Sequence, residues 1–316
     1  MSTSGYYDLL EDLPRLESAV LVVWFDGFMD AGHAGAGFVN HVLESQPHHV
    51  IAEFDTDRLI DYRARRPTMT FRDGSYQDFD QPRLTLYLVH DDGGSPFFLL
   101  AGLEPDILWN GFTAAVVDLI EQLGIRLTVT VHGIPNPVPH TRPIGVLMHA
   151  SRPGLIPAEQ VFDADVRLPG SALGLLALRL AQNGNDVVGI VARVPHYLAE
   201  SDYPQASLAL LRSVNSTTGL LLPADGLVDL SAQADTLVEK EIAGNDQVAR
   251  VVQALETQYD AFVAGEARGN LMADERAIPT ADEIGDEFER FLADIHTEGD
   301  EEVDGGRDDI DDDGDR

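Results

Sequence analysis

The apolar positions of this chain fall into two periods, one suited to buried strands and one to half-buried helices. Ala19 to Phe25 (AVLVVWF) is an unbroken apolar run of strand length, closed by Asp26-Gly27. A predicted helix follows over Ala31–Leu43, with Gly32, Gly35 and Gly37 at its start for close approach to the strand. His48–Asp55 (HHVIAEFD) predicts a second strand, and Asp57–Thr68 is polar and arginine-rich up to Pro67. Leu84–His90 and Phe97–Ala101 predict a hairpin across a Gly-Gly-Ser-Pro turn. Pro105 and Asp106 open a predicted helix through Trp109, Val116, Leu119, Ile120 and Leu123, with Gly124 as its stop. Ile125–Val131 predicts a strand. HGIPNPVPHTRP, which follows, is too proline-rich for regular structure. Ile144–His149 predicts a further short strand.

The order then repeats. Gly170-Ser171 caps a leucine-rich helix that stops at Asn183-Gly184, and Asp186–Val194 predicts a strand. Pro204 starts a helix through Leu208, Leu211 and Val214. Val248, Val251, Val252, Leu255, Tyr259 and Phe262 form one amphipathic helical face, separated by Gly244-Asn245-Asp246 from an earlier helix. Strands that are apolar throughout, alternating with helices, predict an α/β fold. The expected architecture is a three-layer sandwich around a mixed, largely parallel sheet covered on both faces. Residues 1–264 are expected to form a single domain that closes with a helical part from about 228.

The charge pattern sets the C-terminus apart. From Gly265 to Arg316 there are 20 acidic and 5 basic residues, so this stretch carries −15 of the net −33 and the body −18. Pro279–Ile295 is expected to form one acidic helix. Beyond Thr297 like charges repel and few apolar groups offset the ordering entropy, which predicts disorder. An acidic body argues against nucleic acid and against anionic membrane surfaces. No apolar run is long enough to span a bilayer, and no basic region precedes an apolar core at the N-terminus, as a signal peptide requires. Cysteine is absent, which removes disulfides, thiol nucleophiles and thiolate metal sites and suits the cytoplasm. Lys240 is the only lysine and lies in a solvated helical stretch, which argues against Schiff-base chemistry and a phosphate-loop lysine. No cofactor and no metal site are expected.

The candidate chemistry falls where strands should end. Asp26, Gly27, Asp30 and Gly32 suit a ligand-binding elbow at a helix N-terminus; they suit equally a tight connection with a capping aspartate. Glu104, before Pro105, suits a ribose-holding carboxylate or a base, or else helix capping. His132 and Arg142 belong to the proline-rich stretch, as ligand contacts or as parts of a rigid crossover. Arg193, His196, Tyr197 and Tyr203 suit anion binding, or an arginine paired with one of the many carboxylates. Arg63, Arg65 and Arg66 form the basic concentration of an acidic protein. They suit docking on the acidic surface of a second subunit, or a plain solvated loop.

Six phrases in order carry a resemblance: VVWFDGFMDAGHAG, DYRARRP, FFLLAGLEPD, VHGIPNPVPHTRP, RVPHYL and YPQAS. Together they resemble the proteasome assembly chaperone 2 family, in its actinobacterial branch, over Tyr7–Phe262. The resemblance implies a three-layer α/β sandwich similar to the nucleoside phosphorylase/hydrolase fold, self-associated, with a trimer as the expected form. For relatives in other lineages it implies a role in proteasome α-subunit assembly. Some relatives dock through a C-terminal hydrophobic–Tyr–any motif, whereas this chain ends Asp313-Gly314-Asp315-Arg316. The expectation is therefore a non-catalytic binding or assembly protein, with proteasome subunits as partners. The alternative is a nucleosidase- or phosphorylase-like enzyme, with Asp26, Glu104, His132, Arg193 and His196 converging at the carboxyl ends of the strands.

Overall fold

The computed structural model of the chain describes residues 5–10, 16, 18–162 and 165–269. Along it run β1 (Tyr7–Leu9), β2 (Ala19–Asp26), α1 (Ala34–Ser45), β3 (His48–Phe54), α2 (Thr56–Leu59), β4 (Met69–Arg72) and β5 (Ser75–Phe79). Next come β6 (Leu84–His90), β7 (Pro96–Leu103), α3 (Trp109–Leu123), β8 (Ile125–Asn136), β9 (Val146–Ala150) and α4 (Ala172–Gln182). The series ends with β10 (Val187–Pro195), α5 (Pro204–Thr218), α6 (Asp225–Ala243) and α7 (Asp246–Gly269).

Eight of these strands form one mixed sheet in the order β1-β3-β6-β7-β2-β8-β10-β9. Its centre, β7-β2-β8-β10, is parallel; β3, β6 and β1 on one flank and β9 on the other are antiparallel. The reason β2 does not alternate is visible in its packing. Val20, Val22 and Trp24 enter a core with Phe38 and Val39 of α1 and Leu210, Leu211 and Val214 of α5. Leu21, Val23 and Phe25 enter a second core with Phe112, Val116 and Leu119 of α3 and Leu176 of α4. Helices on both faces make the fold a three-layer α/β sandwich.

Local chemistry sets the element ends. Ser171 caps α4, its hydroxyl accepting the Gly174 N–H at 3.0 Å. Pro204 opens α5, where its missing N–H costs nothing. Gly124 ends α3 in the left-handed conformation.

The structure departs from the sequence pattern at four places. β8 runs through the expected proline-rich loop as far as Asn136. The N–H of Gly133 points away from β10, to Asp30, and the strand period puts the nitrogen of Pro135 on the same side. The ladder with β10 therefore loses no donor. α3 starts at Trp109 rather than at Pro105, because Asp106 is drawn away to the Arg65 loop. α1 is preceded by a 3-10 turn, Ala31–His33, with Gly32 at φ 66° and His33 at φ 47°. Finally, β4 and β5 form a separate hairpin closed by Asp73 and Gly74, both at positive φ, the signature of a type I′ turn.

Residues 1–164 with 168–263 make one compact unit. Residues 165–167 with 264–316 make another, whose described part is irregular chain at 165–167 and the end of α7. The expectations for 279–295 and for the stretch past 297 lie outside the described residues.

Candidate functional site

β2 ends at the elbow, and Asp30 organises it. One carboxylate oxygen, Oδ1, accepts the N–H groups of Gly35 at 2.8 Å and Gly133 at 3.0 Å. The other, Oδ2, accepts Ala36 N–H at 2.9 Å and the Trp24 indole N–H at 3.0 Å. The side chain thus caps α1 and staples it to β2 and β8 at once. Burial pushes the Asp30 carboxyl up in pKa, and the four N–H donors pull it back. Glycine is required at two of the donor positions. A Cβ on Gly35 would overlap the Trp24 indole, and one on Gly133 would overlap the Ala31 carbonyl oxygen.

Glu104, at the end of β7, is buried and equally occupied. Its Oε2 accepts Phe28 N–H at 2.9 Å, and its Oε1 accepts Ala172 N–H, the first of α4, at 2.6 Å. Gly27 has no room for a Cβ because Glu104 lies across it. Asp26 is exposed. Its carbonyl accepts the Glu104 N–H at 2.8 Å and Arg65 Nη1 at 3.0 Å. Arg65 also pairs with Asp106 at 3.0 Å, which in turn accepts the Asp61 N–H. Arg63 and Arg66 stay exposed on the same loop.

A second group gathers where β8 and β10 run out. The Tyr197 hydroxyl accepts the His140 backbone N–H at 2.8 Å and lies 2.7 Å from His140 Nδ1. His196 packs edge-on against the same phenol. Burial pushes His140 and His196 down and Tyr197 up. Arg142 is bidentate to Asp260 of α7, at 2.8 and 2.7 Å, and reaches Glu256 at 3.4 Å. The Arg142 guanidinium holds the Asp260 carboxyl below the usual carboxylate range. Tyr203 is buried at the start of α5 and packs against Gly32.

His132 and Arg193 face the α3/α4 side of β8 and β10, where the Arg193 guanidinium bonds Asn136 Oδ1 at 3.3 and 3.2 Å. Of the sequence candidates, the structure thus gathers Asp26, Gly27, Asp30, Gly32 and Glu104 around the elbow. His196 and Tyr197 meet at the strand ends, and Arg142 bonds Asp260 and Glu256 of α7 instead. Sequence reasoning missed Trp24 and Asp260, and it singled out neither Asp106 beside Glu104 nor Gly133 and Asn136 within the proline-rich stretch. The tryptophan six residues before Asp30 was the available signal for the first; contacts across the sheet gave none for the others. Among the described residues no three His, Asp or Glu side chains are placed to share a metal ion, and no helix is long and apolar enough to cross a membrane.

Fold and site together define a three-layer α/β protein whose strand-end carboxylates Asp30 and Glu104 are spent on internal connections. The chain belongs to the PAC2 family, whose model matches residues 24–242. It is similar to a Mycobacterium tuberculosis protein of unknown function, at 40% identity over 86% of this chain and 94% of that one, with a TM-score of 0.81. A Corynebacterium glutamicum protein of unknown function is 34% identical over 82% of this chain and 98% of its own, with a TM-score of 0.76. A Mycobacterium tuberculosis proteasome-assembly chaperone homologue is 26% identical over 74% of this chain and 99% of its own, with a TM-score of 0.68. Among curated proteins none matches the chain.

Proposed function

We propose that this protein is a non-catalytic assembly protein of the cytoplasm that self-associates, as a trimer, and engages proteasome subunits. The observation that carries the reading is the β4–β5 hairpin. It pairs with no strand of the main sheet, yet it exposes Met69, Phe71, Tyr76 and Phe79, with Tyr76 at 70% and Phe71 at 62%. Exposed aromatics on a separate arm are the mark of a contact surface. Charge agrees. Residues 58–83 hold six arginines and four aspartates, net +2 in a chain of −33. The arm therefore rises from a stretch able to approach another acidic copy, with Arg63 and Arg66 free to meet its carboxylates. The proteasome enters through family membership and the chaperone homologue at 26% identity. The nucleosidase-like alternative asks Glu104 to hold ribose, and both its oxygens are already occupied by backbone N–H groups.

Light scattering coupled to size exclusion tests this on the full chain and on a Phe71→Asp, Tyr76→Asp variant. A discrete oligomer that the double substitution dissociates, together with capture of proteasome subunits by the wild type, is the expected result. A monomeric wild type that captures none overturns it.

A further inference from the structure

Strand pairing puts the four apolar side chains of the β4–β5 ribbon on one face. Met69 stands opposite Phe79, and Phe71 opposite Tyr76. Residues paired across a ladder, or two apart along a strand, point the same way. Phe71 and Tyr76 meet edge-on, their ring centroids 5.2 Å apart. All four side chains are exposed. The ribbon thus has an apolar face that nothing among the described residues covers, and a polar face with Thr70 and Asp78.

α6 is the helix with the least cover on the other side of such a contact. Of its 19 residues only Leu227 and Ser231 are buried, whereas α5 buries six of 15. Among the described residues α5 is the helix it packs along. Leu230 and Leu237 are two turns apart, so they share one side of the helix, and they are 49% and 68% exposed. Asp229 adjoins Leu230, and Glu241 lies one turn beyond Leu237. Along the whole helix Asp225, Asp229, Asp235, Glu239 and Glu241 stand against one cation, Lys240, a net of −4. The stretch that bears the arm, residues 58–83, carries +2. One chain therefore holds two uncovered apolar surfaces whose surrounding charges are opposite.

We infer that the apolar face of the β4–β5 ribbon lies on the Leu230–Leu237 side of α6 in the next copy of the chain, with Arg63 and Arg66 meeting Asp229 and Glu241. The contact rests on the proposed self-association and gives it a direction. Its two surfaces belong to different elements, so it is heterologous: each copy lends an arm to one neighbour and a helix to the other, and three such contacts close a ring. Two arms packed on each other would set one net-positive stretch against another and leave the α6 leucines in water. The arm on α6 brings opposite signs together.

Light scattering coupled to size exclusion, run as a dilution series on the full chain, tests it. Leu230→Asp with Leu237→Asp should raise the dissociation constant of the oligomer by at least about tenfold. Arg63→Glu with Arg66→Glu should weaken the oligomer severalfold, and so should Asp229→Arg with Glu241→Arg. The chain carrying all four reversals should recover most of that loss, because the signs are exchanged rather than removed. These positions are exposed, and far-UV circular dichroism checks that each variant folds; where the leucine variant does not, the charge exchange decides. An oligomer that Phe71→Asp with Tyr76→Asp dissociates, but that the α6 leucine substitutions leave intact, overturns this contact and not the self-association. A four-site reversal that recovers nothing does the same. A monomeric wild type overturns both.

Discussion

The elbow after β2 and the face of β8, β9 and β10 that carries Thr128, His132, His149 and Arg193, the strip below, settle their polar groups in opposite ways. At the elbow a carboxylate meets four N–H donors and a second carboxylate meets two. On the strip an arginine shares one amide oxygen, and a ring nitrogen and a hydroxyl meet nothing. Strand-end position alone therefore does not mark a binding site. What separates the two is whether the polar groups are already spent.

That contrast can be broken by substitution, and the largest effect belongs to the elbow. Asp30→Ala strands the Trp24 indole and three backbone N–H groups, and should cost about 3–5 kcal/mol in urea unfolding. A loss under about 1 kcal/mol would show that water replaces the carboxylate and that the elbow is not the saturated site described. Gly133→Ala drives a methyl into the Ala31 carbonyl and should cost roughly 1–3 kcal/mol by the same measurement.

Acidification tests the strip. The folded His132 ring takes its proton near pH 4 and the unfolded ring near 6.5. Between these values the unfolded chain binds more protons, so stability falls as pH drops through the window and is steady above it. The part owed to His132 is at most about 3 kcal/mol. His132→Gln should flatten the fall in melting temperature between pH 6.5 and 4; an unchanged slope would assign it elsewhere. The smallest effect is also the sharpest. Thr128→Val deletes a hydroxyl that bonds to nothing, and should be neutral or stabilising by up to about 1 kcal/mol. A clear destabilisation would mean that the hydroxyl has a partner and that the strip resembles the elbow after all.

Much of the fold was legible because apolar period and punctuation agree. The β6–β7 hairpin, the capped α4 and the Pro204 start of α5 follow from residues adjacent in sequence. The β4–β5 hairpin carried a readable Asp73-Gly74 signal, but its strands bury almost nothing and so show no alternation. β8 ran past its prolines because an aspartate a hundred residues earlier takes the N–H that faces away from the ladder. At the site, the residue types Asp30, Glu104, His132 and Arg193 were all visible. Their partners were not, since Gly133, Ala172, Asn136 and His149 come from other strands and helices. Only the register tells a spent carboxylate from an unspent guanidinium.

The strand order also dictates a timetable for synthesis. β2 and β7 are available early, and β8 can join them as soon as Asn136 has emerged. Its far edge, however, belongs to β10, which begins only at Val187, and β9 pairs with nothing in the main sheet but β10. Through that interval the nascent chain presents a long strand with open hydrogen-bonding groups and apolar flanks, the surface on which wrong pairings start. A molecule whose relative bears the name of an assembly chaperone homologue thus passes, on its own way off the ribosome, through a stage in which it is the one in need of shelter.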